Sequence, residues 1–299
     1  MRGCVRSTGR VRRSGSPTSL PKPTRSLRKE AAMLPSRYFA DLTQPEIAGQ
    51  FKKNPLVILP CGSVEQHGPH LPTGTDTLAA NIIAHAVAER MDGLVLPATP
   101  FGVTPMHMPY EGTITLTPDT YMRVQTETCV STAKHGAKQL MIINWHEGNI
   151  PSLAIAAEAL HRDHGMSVLT VQACYVAEEL YGHSCGGLTH GGEIEALAVL
   201  AHSPGLVHLD RIDYSSEHSH GHKMDKLRRT RTYQPVLTDI RSIAPTGWFG
   251  SPQHATAEKG GKMLTDIADA VAKEASDIFR QLDQVQGGPR EIKQLRQVS

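Results

Sequence analysis

The sequence predicts an α/β fold, with a mostly parallel sheet and helices on both faces, from three observations. Strand-length apolar runs rich in β-branched residues alternate with helical patterns from residue 36 onward. The 299 residues, 39% of them hydrophobic, suffice to bury a sizeable core. No internal repeat or second composition regime divides them, so one domain is expected.

The elements follow in chain order. "PLVILPCGS" (55–63) reads as a buried parallel strand, and "DTLAANIIAHAVAERMDG" (76–93) as a helix with Asp76 as N-cap and Gly93 as its stop. "GLVLPATPFG" (93–102) is a second strand, and "DTYMRVQTETCVSTAKHG" (119–136) a helix running from Asp119 to Gly136. "QLMIINW" (139–145) is a third strand. "NIPSLAIAAEALHRDHG" (149–165) is a helix opening on Asn149, with Pro151 early, where a missing N–H costs least. "MSVLTVQACY" (166–175) is a fourth strand, and the amphipathic "TDIADAVAKEASDIFRQL" (265–282) a packed terminal helix. Right-handed crossovers between parallel strands place the helices on the two faces.

Charge separates the first 34 residues from the rest. Of 31 basic and 29 acidic residues, nine and one respectively lie before residue 35, so the remainder carries 22 basic against 28 acidic, a net of −6. The early stretch is rich in Ser, Pro, Gly and Arg, with almost nothing to bury, and is expected to be disordered. A basic arm for nucleic acid, an organelle-targeting peptide and translated sequence upstream of a start at Met33 are three readings of it. The expected organisation is an extension or mis-assigned start over 1–34, one catalytic domain over 35–283 and a loose tail over 284–299.

Composition excludes several classes. No run approaches the ~18–20 apolar residues of a membrane span, and charges stand where a signal peptide needs an apolar stretch. Five widely spaced cysteines without a CxxC pair fit reduced thiols and a cytoplasmic location. The acidic body disfavours nucleic acid as a partner.

Polar clusters sit where α/β folds bind ligands, beyond the carboxyl ends of strands. The first strand runs into Glu65 and His67; residues two apart in extended backbone point the same way, which leaves Gln66 facing elsewhere. A Gly/Pro loop then returns the chain to Asp76, and the third strand runs into His146. Two carboxylates and two imidazoles from three segments suit Zn, Mn or Fe. Singly, Asp76 also reads as a helix cap, Glu65 as a solvated charge and each histidine as a satisfied polar residue; convergence at strand ends favours a metal centre.

Several motifs together resemble the creatininase family of metal-dependent amidohydrolases over roughly residues 36–275. They are Glu65-x-His67-Gly with Asp76 nine positions after the histidine, "NWHEGN" (144–149), "FGVTPMHMPYEGTITL" (101–116) and "THGGEIEA" (189–196). The resemblance implies a three-layer α/β/α sandwich with a mostly parallel central sheet and a homo-oligomer, a hexamer among the family's forms. It also implies two divalent ions, one on Glu65, Asp76 and His146 and the other on His67 and the bridging Asp76. Creatininase proper completes the second ion with a glutamate where this chain has Gly148. Glu195 is the preferred substitute, with Glu193 and Glu147 as alternatives. Creatininase also places a tryptophan shortly before the histidine matching His190. No aromatic here lies nearer than Tyr181, which disfavours creatinine as substrate.

The expected chemistry is cleavage of a C–N bond in a small-molecule amide, cyclic amide, formamide or short peptide. Two cations sharing a water lower its pKa and supply a bridging hydroxide. His190 is the expected proton donor to the departing nitrogen, with Glu195 or Glu147 as a shuttle where not coordinating. Thr104, His107 and His190 are expected at the substrate, His107 alternatively orienting a metal ligand. A non-catalytic metal-binding scaffold is the competing reading. The "HSHGH" cluster (218–222) reads as a flexible loop, and His254 in "SPQHATAEKGGKML" (251–264) as structural.

Overall fold

The computed structural model describes residues 36–215, 219–230, 232–233 and 235–286. Expectations for residues 1–34 and for the tail beyond 286 lie outside the described residues. Helix α1 (Gln44–Lys53) opens on a capping box, Glu46 Oε2 accepting from Thr43 N–H at 2.7 Å. Then follow β1 (Leu56–Cys61), α2 (Thr75–Met91), β2 (Leu94–Val95), α3 (Pro118–Lys134), β3 (Gln139–Asn144), α4 (Ile150–His164), β4 (Ser167–Gln172) and α5 (Ala173–Tyr181). The remainder holds α6 (Glu193–Leu200), α7 (Ser219–Arg229) and α8 (Ala257–Gln286).

The four strands are parallel, in the order β2-β1-β3-β4, with Leu56 opposite Gln139 and Gln139 opposite Ser167 setting the register. Strand periodicity divides the core between two faces. Leu56, Ile58, Met141 and Ile143 pack with α2, α5, α6 and α8. Val57, Leu59, Leu140 and Ile142 face α1, α3 and α4. The result is the three-layer α/β/α sandwich expected, its central strands largely apolar because both faces are covered.

Element ends differ from the sequence reading for local reasons. Asp76 does not cap α2; Gly74 holds the cap position and Asp76 sits second in the helix. The helix stops at Asp92 in the left-handed region (φ 56°), one residue before Gly93. Thr117, not Asp119, caps α3, its hydroxyl accepting from Thr120 N–H, with Pro118 at the first helical position. The second strand shrinks to two residues, because Pro97 and Pro100 lack the N–H a ladder needs. The fourth ends at Gln172, where α5 begins.

The expected flexible loop around 218–222 is in part helix. Residues 219–229 form α7, steadied by the Asp225–Arg229 ion pair one turn apart (2.6 Å) and by Met224 packed on Ile240, Ile243 and Phe249. The terminal helix is longer than expected at both ends and takes in 284–286. Met263, Ile267, Val271, Ala275 and Phe279 form its buried stripe. His254 is exposed in a short 3-10 turn. Among the described residues no helix is long and apolar enough to cross a membrane.

Candidate active site

The carboxylates and imidazoles around Asp76 come from the carboxyl ends of β1 and β3 and from the starts of α2 and α6, while Thr104 and His107 enter from the segment after β2. After β1 the loop is closed by Glu65 N–H donating to the Thr73 carbonyl (2.8 Å), and it leads straight into α2 and Asp76. Gly62 permits this tight return, since a Cβ there would collide with the Thr77 backbone. After β3, Trp145 N–H still bonds the Cys61 carbonyl (2.9 Å), which sets His146 beside Asp76. Asn149 braces the junction, donating to the Gly62 carbonyl and accepting from Val103 N–H (both 2.9 Å). Glu195 rises from the first turn of α6 and accepts from Gly191 N–H (2.6 Å).

Asp76 stands between two donor sets. Its Oδ1 lies 3.3 Å from His67 Nε2, which is 3.5 Å from Glu195 Oε2. Its Oδ2 lies 3.0 Å from His146 Nδ1, which is 3.3 Å from Glu65 Oε2. Ser63 Oγ donates to Asp76 Oδ2 (2.7 Å) and Thr104 Oγ1 to Glu65 Oε2. Each histidine gives its other nitrogen to a backbone carbonyl: His67 Nδ1 to Glu65 O (3.0 Å) and His146 Nε2 to Val103 O (3.1 Å). In the neutral rings the lone pairs then point at carboxylates, the arrangement that outer hydrogen bonds give metal-ligating imidazoles. Lone pairs facing carboxylates repel unless something positive lies between. His67 Nε2 and Asp76 Oδ1 are buried with no hydrogen-bond partner. Glu65, His67 and Asp76 bring donor atoms within 4.8 Å of one another, and with His146 beside Asp76 and Glu195 beside His67 the set fits a divalent metal.

Without a metal, protons answer the same demand. Burial opposes charge on His67, but Glu195 and Asp76 hold its pKa well above the ordinary value; burial likewise opposes charge on His146, which Glu65 and Asp76 raise to about 9. Burial also opposes the Asp76 carboxylate, yet His67 and His146 keep it well below the usual range. Burial pushes Glu195 up, with His67 acting against the shift. His190 and His107 differ: burial lowers both, and His67 adds to the effect on each. These two imidazoles are neutral near pH 7.

The donors open on a cavity of about 270 Å³. Its apolar wall includes Met106, Leu237, Ile243 and Phe249, and its far end Glu147, Asp225 and Arg229. Glu65, Asp76, His146 and Glu195 lie together as described, and Thr104, His107 and His190 line the same space. His67 is buried behind, against Asp76 and Glu195. Glu147 lines the cavity too, but its carboxylate accepts from Arg229 Nε (2.7 Å). Glu193 pairs with Lys259 Nζ (2.6 Å). At Gly148 a Cβ would press on Val103 O and on His146 Nε2, the hydrogen-bonded pair that orients that ring. A glutamate cannot enter there without displacing His146.

Sequence reasoning missed four contributors. Gln66, expected to face elsewhere, is buried, its Nε2 3.1 Å from His107 Nδ1 and 3.0 Å from His190 Nε2. Strand alternation carries it off the carboxylate side but into the wall behind the other two histidines. Ser63 carried no signal beyond its place at a strand end. Asp225 and Arg229 lie in "KMDKLRRTRT", the flank of the 218–222 cluster, and were assigned no role; their spacing of four is the signal that points to a helix.

The family model described as creatinine amidohydrolase (Creatininase) matches residues 40–275. The chain is 31% identical over 227 residues to the mycofactocin precursor peptide peptidase of Mycobacterium ulcerans (strain Agy99), a match covering 72% of this chain and 82% of that protein. It is 29% identical over 272 residues to the creatinine amidohydrolase of Pseudomonas putida, covering 81% and 98%. In three dimensions it is similar to the solved "Creatininase Mn", with TM-score 0.63, 25% identity and coverage of 80% and 98%. With the matched region spanning the sheet, the donor cluster and most of α8, the chain belongs to the creatininase family.

Proposed function

We propose that the protein is a metal-dependent amidohydrolase holding two divalent cations, one among Glu65, Asp76 and His146 and the other among His67, Asp76 and Glu195. The observation that supports this reading is Asp76 itself. It offers one oxygen to each of two imidazoles whose remaining nitrogens are tied to carbonyls. Bound there, Zn, Mn or Fe would polarise an amide carbonyl and bring the pKa of a water towards neutrality.

The chain's own residues supply the rest. The cavity accommodates a small amide or the end of a peptide against its apolar wall. As the water oxygen bonds to the carbonyl carbon, its proton passes to His190, which is neutral and whose Nδ1 lies 3.7 Å from Glu65 Oε1. The C–N bond then breaks and His190 returns that proton to the departing nitrogen, leaving an acid and an amine. His190 is thus an acceptor first and a donor second, whereas the sequence suggested a donor alone. Burial explains the difference, because a desolvated imidazole beside other histidines holds no proton in reserve.

The substrate class is a short peptide, formamide or cyclic amide, and the relatives' names span peptide and creatinine. The chain lacks the tryptophan that resemblance to creatininase places before His190; the aromatic lining comes from Trp145 and Phe249. A cytoplasmic location is supported by four buried free cysteines. A homo-oligomer rests on family resemblance. Metal analysis combined with a panel of lactams, formamides and dipeptides tests the proposal. Turnover should vanish on chelation and return with Zn or Mn, and full turnover by metal-stripped protein would overturn it.

A further inference from the structure

We infer that Gln66 is a positioning residue that fixes His107 and His190 in the same tautomer but mounted opposite ways round, so that one offers the cavity an N–H and the other a lone pair. What those groups do to a substrate rests on the amidohydrolase reading; the tautomers rest on hydrogen bonds alone.

The orientation of the Gln66 amide is settled by Gly68, whose N–H needs an acceptor and lies 3.1 Å from Gln66 Oε1. The amide nitrogen therefore faces the two imidazoles. His190 Nε2 is also 2.7 Å from the Gln66 backbone carbonyl, which can only accept, so this nitrogen carries the proton. His190 Nδ1 is then bare. With His190 Nε2 already a donor, the Gln66 N–H is left for His107 Nδ1, which must be bare to receive it. His107 is therefore protonated on Nε2.

Both rings flank one carboxylate oxygen. His107 Nε2 and His190 Nδ1 each lie 3.7 Å from Glu65 Oε1, and the ring centroids are 4.5 Å apart. Through one residue, its backbone carbonyl holding His190 and its side chain His107, the cavity acquires a hydrogen-bond donor, suited to an amide oxygen gaining charge, beside an acceptor suited to a proton released by water. Glu65, His107 and His190 also have donor atoms within 4.8 Å of one another, the spacing of a possible cation site. The tautomers argue against it, since the His107 nitrogen facing that space carries a proton.

The test is an imidazole ¹⁵N spectrum of the zinc-loaded full chain without substrate, with His107→Gln and His190→Gln variants assigning the two rings. Nε2-protonated resonances for both are expected. Gln66→Glu replaces the donor with an acceptor and should shift the proton of His107 alone to Nδ1, while His190 stays held by the backbone carbonyl. Gln66→Leu should leave His107 mixed between tautomers, with zinc content unchanged. Should the Gln66 variants fail to fold, the parent spectrum still decides. Protonation of either ring on Nδ1, metal coordination by either, or a His107 signal unmoved in Gln66→Glu would overturn the inference. Because no turnover is measured, such a failure is separate from any failure of the amidohydrolase reading.

Discussion

His67 Nε2 stands 3.3 Å from Asp76 Oδ1, both atoms are buried, and neither makes a hydrogen bond. Leaving two such polar atoms desolvated costs several kcal/mol in all. A shared positive charge removes that cost, and the second oxygen of the same carboxylate repeats the arrangement with His146 (3.0 Å).

Asp76→Asn should therefore disturb both donor sets at once. Elemental analysis is expected to show metal content falling by more than in a His67→Ala or His146→Ala variant. Turnover should drop by about 10³-fold or more, on the scale of losing metal-ion stabilisation. Retention of full metal content would show that Asp76 is not shared.

Stripping the metal should make stability depend on pH. The folded pKa of His146, about 9, lies above its ordinary value of 6.5. Its contribution is fully present below 6.5 and is lost as pH rises through 9, at about 3 kcal/mol. His67 shifts in the same direction. Thermal melts of chelated protein should fall across pH 6.5–9, while metal-loaded protein, its ligating imidazoles neutral, should not show this loss. Metal binding at pH 7 should also release protons, which calorimetry in buffers of different ionisation enthalpy reads directly.

The two glutamates at the start of α6 should separate cleanly. Glu195→Gln is expected to lower metal content and turnover with little effect on the melt. Glu193→Gln breaks the pair with Lys259, and should cost about 2 kcal/mol of stability while leaving metal content intact. Equal metal loss in both would remove Glu195 from its assigned place.

Gly148→Glu puts a carboxylate at the position creatininase uses. Here it should not restore a ligand. The new Cβ presses on Val103 O and the His146 ring, so metal content should fall, and Gly148→Ala should show most of the same loss. Improved metal binding in Gly148→Glu would contradict the packing.

Much of the fold was legible because its signals are local. The apolar runs at 56–61 and 139–144 could only be buried strands, and Pro151 and Gly165 bracket α4 where predicted. Glu65, His67, Asp76 and His146 were legible because each follows a strand or opens a helix, so connectivity alone brings them to one end of the sheet. Gln66 and Arg229 were not, since their partners lie 124 and 82 residues away in His190 and Glu147. Helix α7 was obscured for a similar reason: its anchor, Met224 on Ile240 and Phe249, is a contact between segments with no shared periodicity.

By itself the sequence determined the layered α/β architecture and the convergence of Glu65, His67, Asp76 and His146 at one end of the sheet, through short-range periodicity and strand ends. Tertiary structure alone decided that Glu195 rather than Glu193 or Glu147 faces His67. It also decided that Gly148 excludes a carboxylate and that Gln66 orients the two neutral histidines. Those outcomes depend on which side chain a backbone carbonyl or a distant charge reaches first, and only the packed chain sets those distances.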